Sequence, residues 1–188
     1  MNKQQLREIY RQKREKLLTS EVEKLSLKIS EQFMLLPKIT ENCVYHIYLP
    51  ITKHNEINTL HIVKKLWKLK KTIVVPRINP AKTEMDTCLL LPNTKMISNS
   101  YDIPEPECCQ RIYTGNVDVM ILPLLSYDKK GYRIGYGKGY YDRFIVGLKK
   151  PVFKVGLSFF DPDSNHLTSD TWDVPMDCCV TPEKFIRF

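Results

Sequence analysis

Four glycines close together are the part of this sequence whose composition could support chemistry. Gly131, Gly135, Gly137 and Gly139 are four of only seven glycines in 188 residues. Glycine clustering in a glycine-poor chain indicates a backbone that turns sharply or that another molecule approaches closely. We therefore expect this loop to turn tightly, to contact a ligand, or to do both.

The side chains within and directly after this glycine cluster are of the types that bind a nucleotide and its metal ion. Arg133, Lys138 and Arg143 can neutralise phosphate charge, and Asp142 is a carboxylate of the kind that Mg²⁺ takes alongside phosphate oxygens. Flat aromatic faces are added by Tyr136, Tyr140 and Tyr141. A plain flexible turn is the alternative reading, but such a turn does not need these cations. The loop is predicted to bind an anion.

The two standard phosphate-binding motifs do not describe this loop. A Walker A motif requires Ser or Thr after its Gly-Lys pair, whereas a glycine follows the lysine here. The dinucleotide fingerprint Gly-x-Gly-x-x-Gly also fails, because the spacing is Gly135-x-Gly137-x-Gly139. The loop nevertheless joins a predicted strand, 117–122, to a predicted helix, 140–148. Backbone amides at such a junction attract anions.

Three carboxylates are candidate ligands for a metal ion. Asp142 begins the predicted helix 140–148, where its alternative role is to stabilise the helix end. A second metal ligand has to come from elsewhere, and the acidic C-terminal segment offers Asp173 and Asp177. Spacing alone does not decide between these roles.

Three other residues complete the candidate set. Lys3 and Arg7 are four positions apart, so they share one face of the predicted first helix. Glu56 lies in a polar loop after a predicted strand, where it can bind an amine-bearing ligand or lie on the surface. The residues alone favour the surface position for Glu56. The four histidines show no metal-ligand spacing.

Composition and charge restrict the class of protein. The length of 188 residues suits one domain, 1–188, with a substantial core. A net charge of +8 is compatible with nucleic-acid binding. The densest basic run, 64–71, however, fits the solvent-exposed face of an amphipathic helix. The most apolar run, 119–125, is too short to span a membrane. We expect no nucleic-acid partner and no membrane span.

Cysteine usage indicates the compartment. Six cysteines include two adjacent doublets and no Cys-x-x-Cys pair, a pattern that suits neither a usual disulfide nor a zinc site. The sequence also begins without the apolar core of a secretory signal. The expectation is a cytoplasmic protein with reduced cysteines.

Hydrophobic patterning predicts alternating helices and strands. The predicted helices span 2–17, 20–36, 58–69 and 140–148. The predicted strands span 44–49, 72–75, 88–91, 117–122, 152–157 and 179–181, with 92–116 as an irregular connection. Ser20 is predicted to cap the second helix through a capping box, and Pro76 to stop the second strand. Short apolar strands alternating with helices predict an α/β fold with a mostly parallel sheet covered on both faces.

The whole chain resembles the 5-formyltetrahydrofolate cyclo-ligase family, also called methenyltetrahydrofolate synthetases. The resemblance rests on motifs in register from end to end, the most specific being Arg133-Ile-Gly-Tyr-Gly-Lys-Gly-Tyr-Tyr-Asp-Arg143. The other matching pieces are Lys3-x-x-x-Arg7, Tyr48-Leu-Pro50, Glu56-Ile-Asn-Thr59, Val75-Pro-Arg77, Met85-Asp86, 101–106, 117–123, Asp173-Val-Pro-Met-Asp177 and Val180-Thr181. The resemblance implies a three-layer α/β/α sandwich. It also implies ATP- and Mg²⁺-dependent closure of 5-formyltetrahydrofolate to 5,10-methenyltetrahydrofolate, with release of ADP and phosphate.

The resemblance also implies a role for each candidate residue. The nucleotide would be bound by Lys3, Arg7, Arg133, Ile134, Gly135, Tyr136, Gly137, Lys138, Gly139, Tyr140 and Tyr141. The folate would contact Leu49, Glu56, Tyr136, Gly137, Lys138, Gly139 and Tyr140. Asp142 and Asp173 would hold Mg²⁺, while Lys138 and Arg133 would act in catalysis. A monomer is expected. The alternative function is a non-catalytic nucleotide- or folate-binding protein on the same scaffold.

Overall fold

A seven-stranded sheet forms the centre of the fold. The computed structural model describes residues 2–37, 39, 41, 44–79, 84–163, 167 and 170–188. The described helices are α1 (Lys3–Glu15), α2 (Thr19–Met34), α3 (Leu60–Lys68) and α4 (Tyr140–Val146). The described strands are β1 (Val44–Ile47), β2 (Thr72–Asn79), β3 (Glu84–Leu89), β4 (Met96–Ser98), β5 (Pro104–Pro106), β6 (Val119–Leu122), β7 (Ser126–Tyr127), β8 (Arg133–Ile134), β9 (Phe153–Leu157), β10 (Cys178–Val180) and β11 (Phe185–Arg187).

The sheet is mostly parallel, as the sequence predicts. Its strand order is β11-β10-β9-β6-β1-β2-β3. Strands β10, β9, β6, β1 and β2 run parallel to one another, and β11 and β3 pair antiparallel at the two edges. The parallel strands bring their carboxyl ends to one edge of the sheet, where ligand sites of open α/β folds form.

Helices cover both faces of the sheet, and successive residues of the central strand β1 point to opposite faces. In β1, Tyr45 and Ile47 pack in a buried cluster with Phe33 of α2 and Leu66 of α3. His46 faces the other way and meets the ring of Phe144 on α4, with 5.3 Å between ring centroids. Helix α1 packs separately, against the segment around β7 and β8. The predicted α/β architecture is confirmed.

The second helix starts differently from the prediction. Helix α2 begins at Thr19, so Ser20 lies inside its first turn rather than capping it. The N-cap is Leu18, whose backbone N–H donates to the Glu21 carboxylate at 2.8 Å. Leu18 has no side-chain acceptor, so only the acidic half of a capping box is present.

Strand β2 continues through Pro76, which was predicted to end it. Pro76 pairs with Thr87 of β3. Two residues further on, the Ile78 amide points away from β3 and donates to the Glu105 carboxylate at 2.8 Å. Amides two residues apart point to the same side of a strand, so the amide position of Pro76 also faces away from β3. The β2–β3 ladder therefore loses no hydrogen bond through the absence of an N–H at Pro76.

Three pairings in the sheets were not foreseen. The predicted irregular connection contains the two-stranded sheet β4–β5, and β7 pairs with β8 to form a hairpin at the glycine loop. Strand β11 follows a turn at Thr181–Lys184 and completes the sheet edge. These strands are only two or three residues long, too short to produce a hydrophobic period.

The expectation of uniformly reduced cysteines is wrong for one pair. Cys88 of β3 and Cys109 form a disulfide, while Cys108, Cys178 and Cys179 are free. The chain leaves β3 and returns beside it, where Cys88 and Arg111 form an isolated bridge. Cys43 lies outside the described residues. The disulfide removes the cysteine argument for a cytoplasmic location.

The buried His46 predicts a loss of stability in acid. Its side chain is 0% exposed, and neither ring nitrogen has a hydrogen-bond partner among the described residues. Burial lowers its pKa from 6.5 to about 4. The folded protein therefore binds this proton less readily than the unfolded chain, so stability is intact above pH about 6.5 and falls towards pH 4. The full difference is about 3 kcal/mol.

Urea unfolding of the wild type and of His46→Leu between pH 7 and pH 4 measures this term. We expect the wild type to lose more of its free energy of unfolding than the variant as the pH falls through this window. Parallel pH profiles for the two proteins would contradict the assignment.

Candidate functional site

A cavity of ≈ 800 Å³ lies beside the glycine loop. It is at the carboxyl edge of the sheet, since Tyr48 and Leu49 follow β1 and Pro123 follows β6. The cavity is lined by every residue to which the resemblance assigns a role, namely Lys3, Arg7, Leu49, Glu56, Arg133, Ile134, Gly135, Tyr136, Gly137, Lys138, Gly139, Tyr140, Tyr141, Asp142 and Asp173. The fold thus brings together residues from both ends of the chain. Their individual roles stay predictions.

Two of the glycines give the loop a conformation that other residues rarely adopt. Gly137 has φ +92° and Gly139 has φ +65°, both in the left-handed region. Gly139 is also the N-cap residue of α4. Arg7 crosses this loop from α1 and donates from Nε to the carbonyl of Gly135 at 3.0 Å. A Cβ at Gly137 would lie 3.1 Å from Arg7 Cζ. The glycines therefore allow α1 and the loop to approach closely.

Gly137→Ala is expected to damage the loop, and Gly135→Ala to leave it intact. The first substitution strains a positive φ, which costs about 1–2 kcal/mol, and it also displaces Arg7. A Cβ at Gly135 would meet nothing within 4 Å, so that change is expected to be neutral or to stabilise by up to about 1 kcal/mol. Urea unfolding and calorimetric titration with MgATP compare the two variants. Equal losses of stability in both would contradict this geometry.

A network of ion pairs joins the loop to the C-terminal segment. Arg133 donates to Asp142 at 2.9 Å and to the carbonyl of Val174 at 2.7 Å, and its side chain is only 6% exposed. Asp142 also accepts from the Val174 amide at 3.1 Å. Lys3 of α1 binds the carboxylates of Asp170 and Asp173 at 2.6 and 2.7 Å. Burial works to lower the pKa of Lys3, but the two carboxylates outweigh it and raise that pKa.

The two predicted metal ligands lie on neighbouring parts of this network. The Asp142 carboxylate accepts from the amide of the residue that follows Asp173. No cluster of three or more His, Cys, Asp or Glu residues suited to a metal is present in the described part of the chain. Mg²⁺ in phosphoryl-transfer sites takes one or two carboxylates and fills its shell with phosphate oxygens and water. Two carboxylates without an all-protein cage fit that ion. Asp177 instead binds Lys154, at 2.7 Å.

Glu56 is buried rather than on the surface, contrary to the reading of the residues alone. Its side chain is 5% exposed. One carboxylate oxygen accepts from the Ile51 amide at 2.7 Å, and the other accepts from the Tyr136 hydroxyl. Burial raises the pKa of Tyr136, and the charge of Glu56 raises it further, so the hydroxyl stays protonated and donates. The result is a fixed acceptor in the cavity wall.

Part of the cavity lining is apolar. It includes side chains from β2, β3 and the segment before β5 that the sequence reading did not select, namely Pro76, Ile78, Met85 and Ile103. An apolar wall with a few placed polar groups is typical of a site for a flat organic ligand. Pro76 and Met85 belong to the matching motifs, whereas Ile78 and Ile103 have no signal beyond their hydrophobicity.

Lys138 is an exposed cation of the cavity. It is exposed on the glycine loop, with Nζ 5.8 Å from the centroid of the Tyr101 ring. Within the described ranges, Nζ forms no ion pair with a carboxylate. Arg133 and Lys3, by contrast, are held in place by carboxylates.

Among the residues that the structure describes, none of the helices has the length and apolar character that a membrane span requires.

Comparisons with known proteins agree on one family. The sequence model of the 5-formyltetrahydrofolate cyclo-ligase family matches residues 1–182. The 5-formyltetrahydrofolate cyclo-ligase of Haemophilus influenzae is 33% identical over 135 residues, which cover 70% of this chain and 72% of that protein.

Two solved structures are similar over almost the whole chain. The 5,10-methenyltetrahydrofolate synthetase of Aquifex aeolicus has a TM-score of 0.81 and 29% identity, covering 100% of this chain and 93% of that one. The 5,10-methenyltetrahydrofolate synthetase of Mycoplasma pneumoniae has a TM-score of 0.77 and 26% identity, covering 97% and 100%.

Proposed function

The chain belongs to the 5-formyltetrahydrofolate cyclo-ligase family, and from this we propose that it is an ATP- and Mg²⁺-dependent ligase that converts 5-formyltetrahydrofolate to 5,10-methenyltetrahydrofolate. ADP and phosphate are the other products. The observation that carries the proposal is the single cavity with two chemically different walls. The lining contains cations and positive-φ glycines, here called the cationic wall, and apolar side chains with the buried Glu56, here called the apolar wall. Two ligands of different character can therefore meet in one site.

The cationic wall suits the phosphates of ATP. Lys3, Arg7 and Lys138 line it together with the positive-φ glycines Gly137 and Gly139. Transfer of a phosphoryl group needs positioning and charge stabilisation more than a protein nucleophile. Mg²⁺ held by Asp142 and Asp173 would neutralise phosphate charge. To free these carboxylates for the metal, Lys3 gives up part of its contact with Asp173 and Arg133 part of its contact with Asp142. Both cations then contact phosphate oxygens instead.

The apolar wall suits the pterin of the folate. Glu56 is a buried acceptor that can receive hydrogen bonds from the amino and ring N–H groups of a pterin. Leu49, Pro76 and Met85, which also line the cavity, would cover the flat faces of the pterin. Because Tyr136 contacts Glu56 from within the glycine loop, the two walls join at that loop. The N5 formyl group then faces the phosphates.

The chemistry proceeds in two steps on the folate. The formyl oxygen attacks the γ-phosphorus of ATP, ADP leaves, and an imidate phosphate forms. N10 then attacks the former formyl carbon, and inorganic phosphate leaves with the formyl oxygen and takes up the N10 proton. Lys138 stabilises charge on the phosphoryl group in the first step.

The protein is proposed to act as a monomer on folates that can carry a polyglutamate tail. One chain supplies a residue for every proposed contact, so the proposed site needs no second subunit to complete it. The open mouth of the cavity leaves room for a tail to extend into solvent.

The proposal is tested by incubating the protein with 5-formyltetrahydrofolate, ATP and Mg²⁺. The methenyl product is expected to appear as near-ultraviolet absorbance, together with an equal amount of ADP. A non-catalytic binding protein would bind both ligands in calorimetric titrations and form no product. Intact folate in a reaction where a known cyclo-ligase works would contradict the proposal.

Asp173→Asn is expected to raise the Mg²⁺ concentration for half-maximal turnover by about tenfold, the size of one charge-assisted contact. Asp170→Asn is the matched control, because Asp170 also binds Lys3 but is not a proposed metal ligand. Turnover at a series of Mg²⁺ concentrations measures both. Equal shifts in the two variants would assign the effect to Lys3 rather than to the metal.

A further inference from the structure

Arg14 is a buried cation that lies outside the cavity and has no part in the functions proposed above. Its side chain is on α1, and the residue is only 5% exposed. Nη1 donates to the Tyr136 hydroxyl at 3.1 Å, and Nη2 donates to the carbonyl of Leu124. Within the described part of the chain its hydrogen bonds go to these neutral oxygens and not to a carboxylate. A buried guanidinium needs such partners to offset its desolvation.

The hydrogen bonds of Arg14 lead to Glu56 through one side chain. Tyr136 accepts from Arg14 and donates its own proton to Glu56. This order is determined by chemistry, because a guanidinium only donates and an ionised carboxylate only accepts. The hydroxyl between them is therefore oriented towards Glu56, and the positive charge of Arg14 lies behind it.

A second contact connects the same helix to the loop that carries Glu56. Asn55 adopts a left-handed conformation, with φ 46°. Its Nδ2 donates to the carbonyls of Arg14 and Leu17, at 2.9 and 3.0 Å. Those carbonyls lie in the last turn of α1 and just after it, where the Arg14 carbonyl also accepts from the Leu17 amide at 3.0 Å. The residue before Glu56 is thus attached to the end of the helix that positions Arg14.

We propose that Arg14 is a positioning residue for the pterin subsite, acting on Glu56 through Tyr136. The proposal rests on the proposed function, since it assigns Glu56 to the folate. Arg14 fixes the direction of the Tyr136 hydroxyl and supplies the positive charge that balances the buried carboxylate. It touches neither substrate, because it is not among the residues that line the cavity.

The proposal predicts a selective kinetic effect. Arg14→Gln removes the charge and leaves Tyr136 free to turn away from Glu56. We expect the KM for 5-formyltetrahydrofolate to rise about tenfold, the size of a hydrogen bond in a charged network. The KM for ATP should stay within about twofold, because the nucleotide wall is made by other residues. Arg14→Lys keeps the charge and should recover part of the loss.

Arg11→Gln is the matched control. Arg11 is on the same helix, exposed to solvent, and pairs only weakly with Glu8 at 3.8 Å. It should change neither KM. Tyr136→Phe removes the intermediate hydroxyl, so Arg14→Lys added to Tyr136→Phe should cause no further rise in the folate KM. An additive rise in the double variant would overturn the relay.

The test separates this proposal from the function on which it rests. A wild type that forms no methenyl product contradicts the proposed function. An active wild type whose Arg14 variants lose thermal stability but keep both KM values contradicts the positioning role alone. Should Arg14→Gln fail to fold, Arg14→Lys supports the same comparison, since it retains a buried donor. Equal rises in both KM values would also overturn the proposal.

Discussion

Alanine in place of Lys138 is expected to lower kcat for methenyl formation by about 10²- to 10³-fold, the loss typical of one group that stabilises transition-state charge. The expectation follows from the position of the residue. Lys138 is exposed on the glycine loop at the cavity and, within the described ranges, forms no ion pair with a carboxylate. Its ammonium can therefore move to the phosphoryl group. The KM for the folate should change little, because Lys138 contacts the transferring group more than the pterin.

Lys149→Ala is the control for this prediction. Lys149 is an exposed lysine a few residues beyond α4 and does not line the cavity. Steady-state turnover and urea unfolding of both variants measure activity and stability separately. We expect unchanged stability in both and lost turnover only for Lys138→Ala. Full turnover in the Lys138 variant would remove this residue from the mechanism.

Arg133→Leu is expected to damage both stability and activity. The guanidinium is 6% exposed and bonds both Asp142 and the carbonyl of Val174. Its loss removes the charged donor of the Asp142 carboxylate, which keeps only the Val174 amide, and the side-chain donor of the Val174 carbonyl. We expect a cost of about 3 kcal/mol, the lower end of the range for breaking a buried pair, because Asp142 is partly exposed. Turnover should fall by about 10²- to 10³-fold, since both the phosphate wall and a predicted metal ligand are displaced.

A surface ion pair provides the comparison. Arg111 binds Asp86 at 2.8 Å, a distance close to that of Arg133 and Asp142, but the Arg111 side chain is 72% exposed. Arg111→Leu is therefore expected to cost at most about 1 kcal/mol and to leave turnover intact. Urea unfolding and turnover of the two variants test the contrast. Similar losses of stability would show that burial of Arg133 is not what matters.

The glycine loop could be predicted because its signal is local. Gly135, Gly137 and Gly139 with Arg133 and Lys138 carry the unusual composition within a few residues. The order of the main elements was also predictable, since each strand of the parallel core is a short apolar run. Such features depend on neighbouring residues in the sequence, which can be read without the fold.

The parts that could not be predicted depend on contacts between distant residues. Glu56 resembles a surface residue until the fold places Tyr136 against it. Arg14 is one basic residue among several on α1, and nothing in its sequence position indicates burial. Cys88 and Cys109 approach only because the chain returns beside β3. In each case burial or pairing is decided by packing and not by residue type.

The central claim is that the cavity lets ATP phosphorylate the formyl oxygen of the folate. The most direct test uses 5-formyltetrahydrofolate labelled with ¹⁸O in the formyl group, MgATP and the wild-type protein, with mass spectrometry of the released phosphate. We expect ¹⁸O to appear in inorganic phosphate in step with the methenyl product. Methenyl product formed with unlabelled phosphate, or with the label in water, would contradict it.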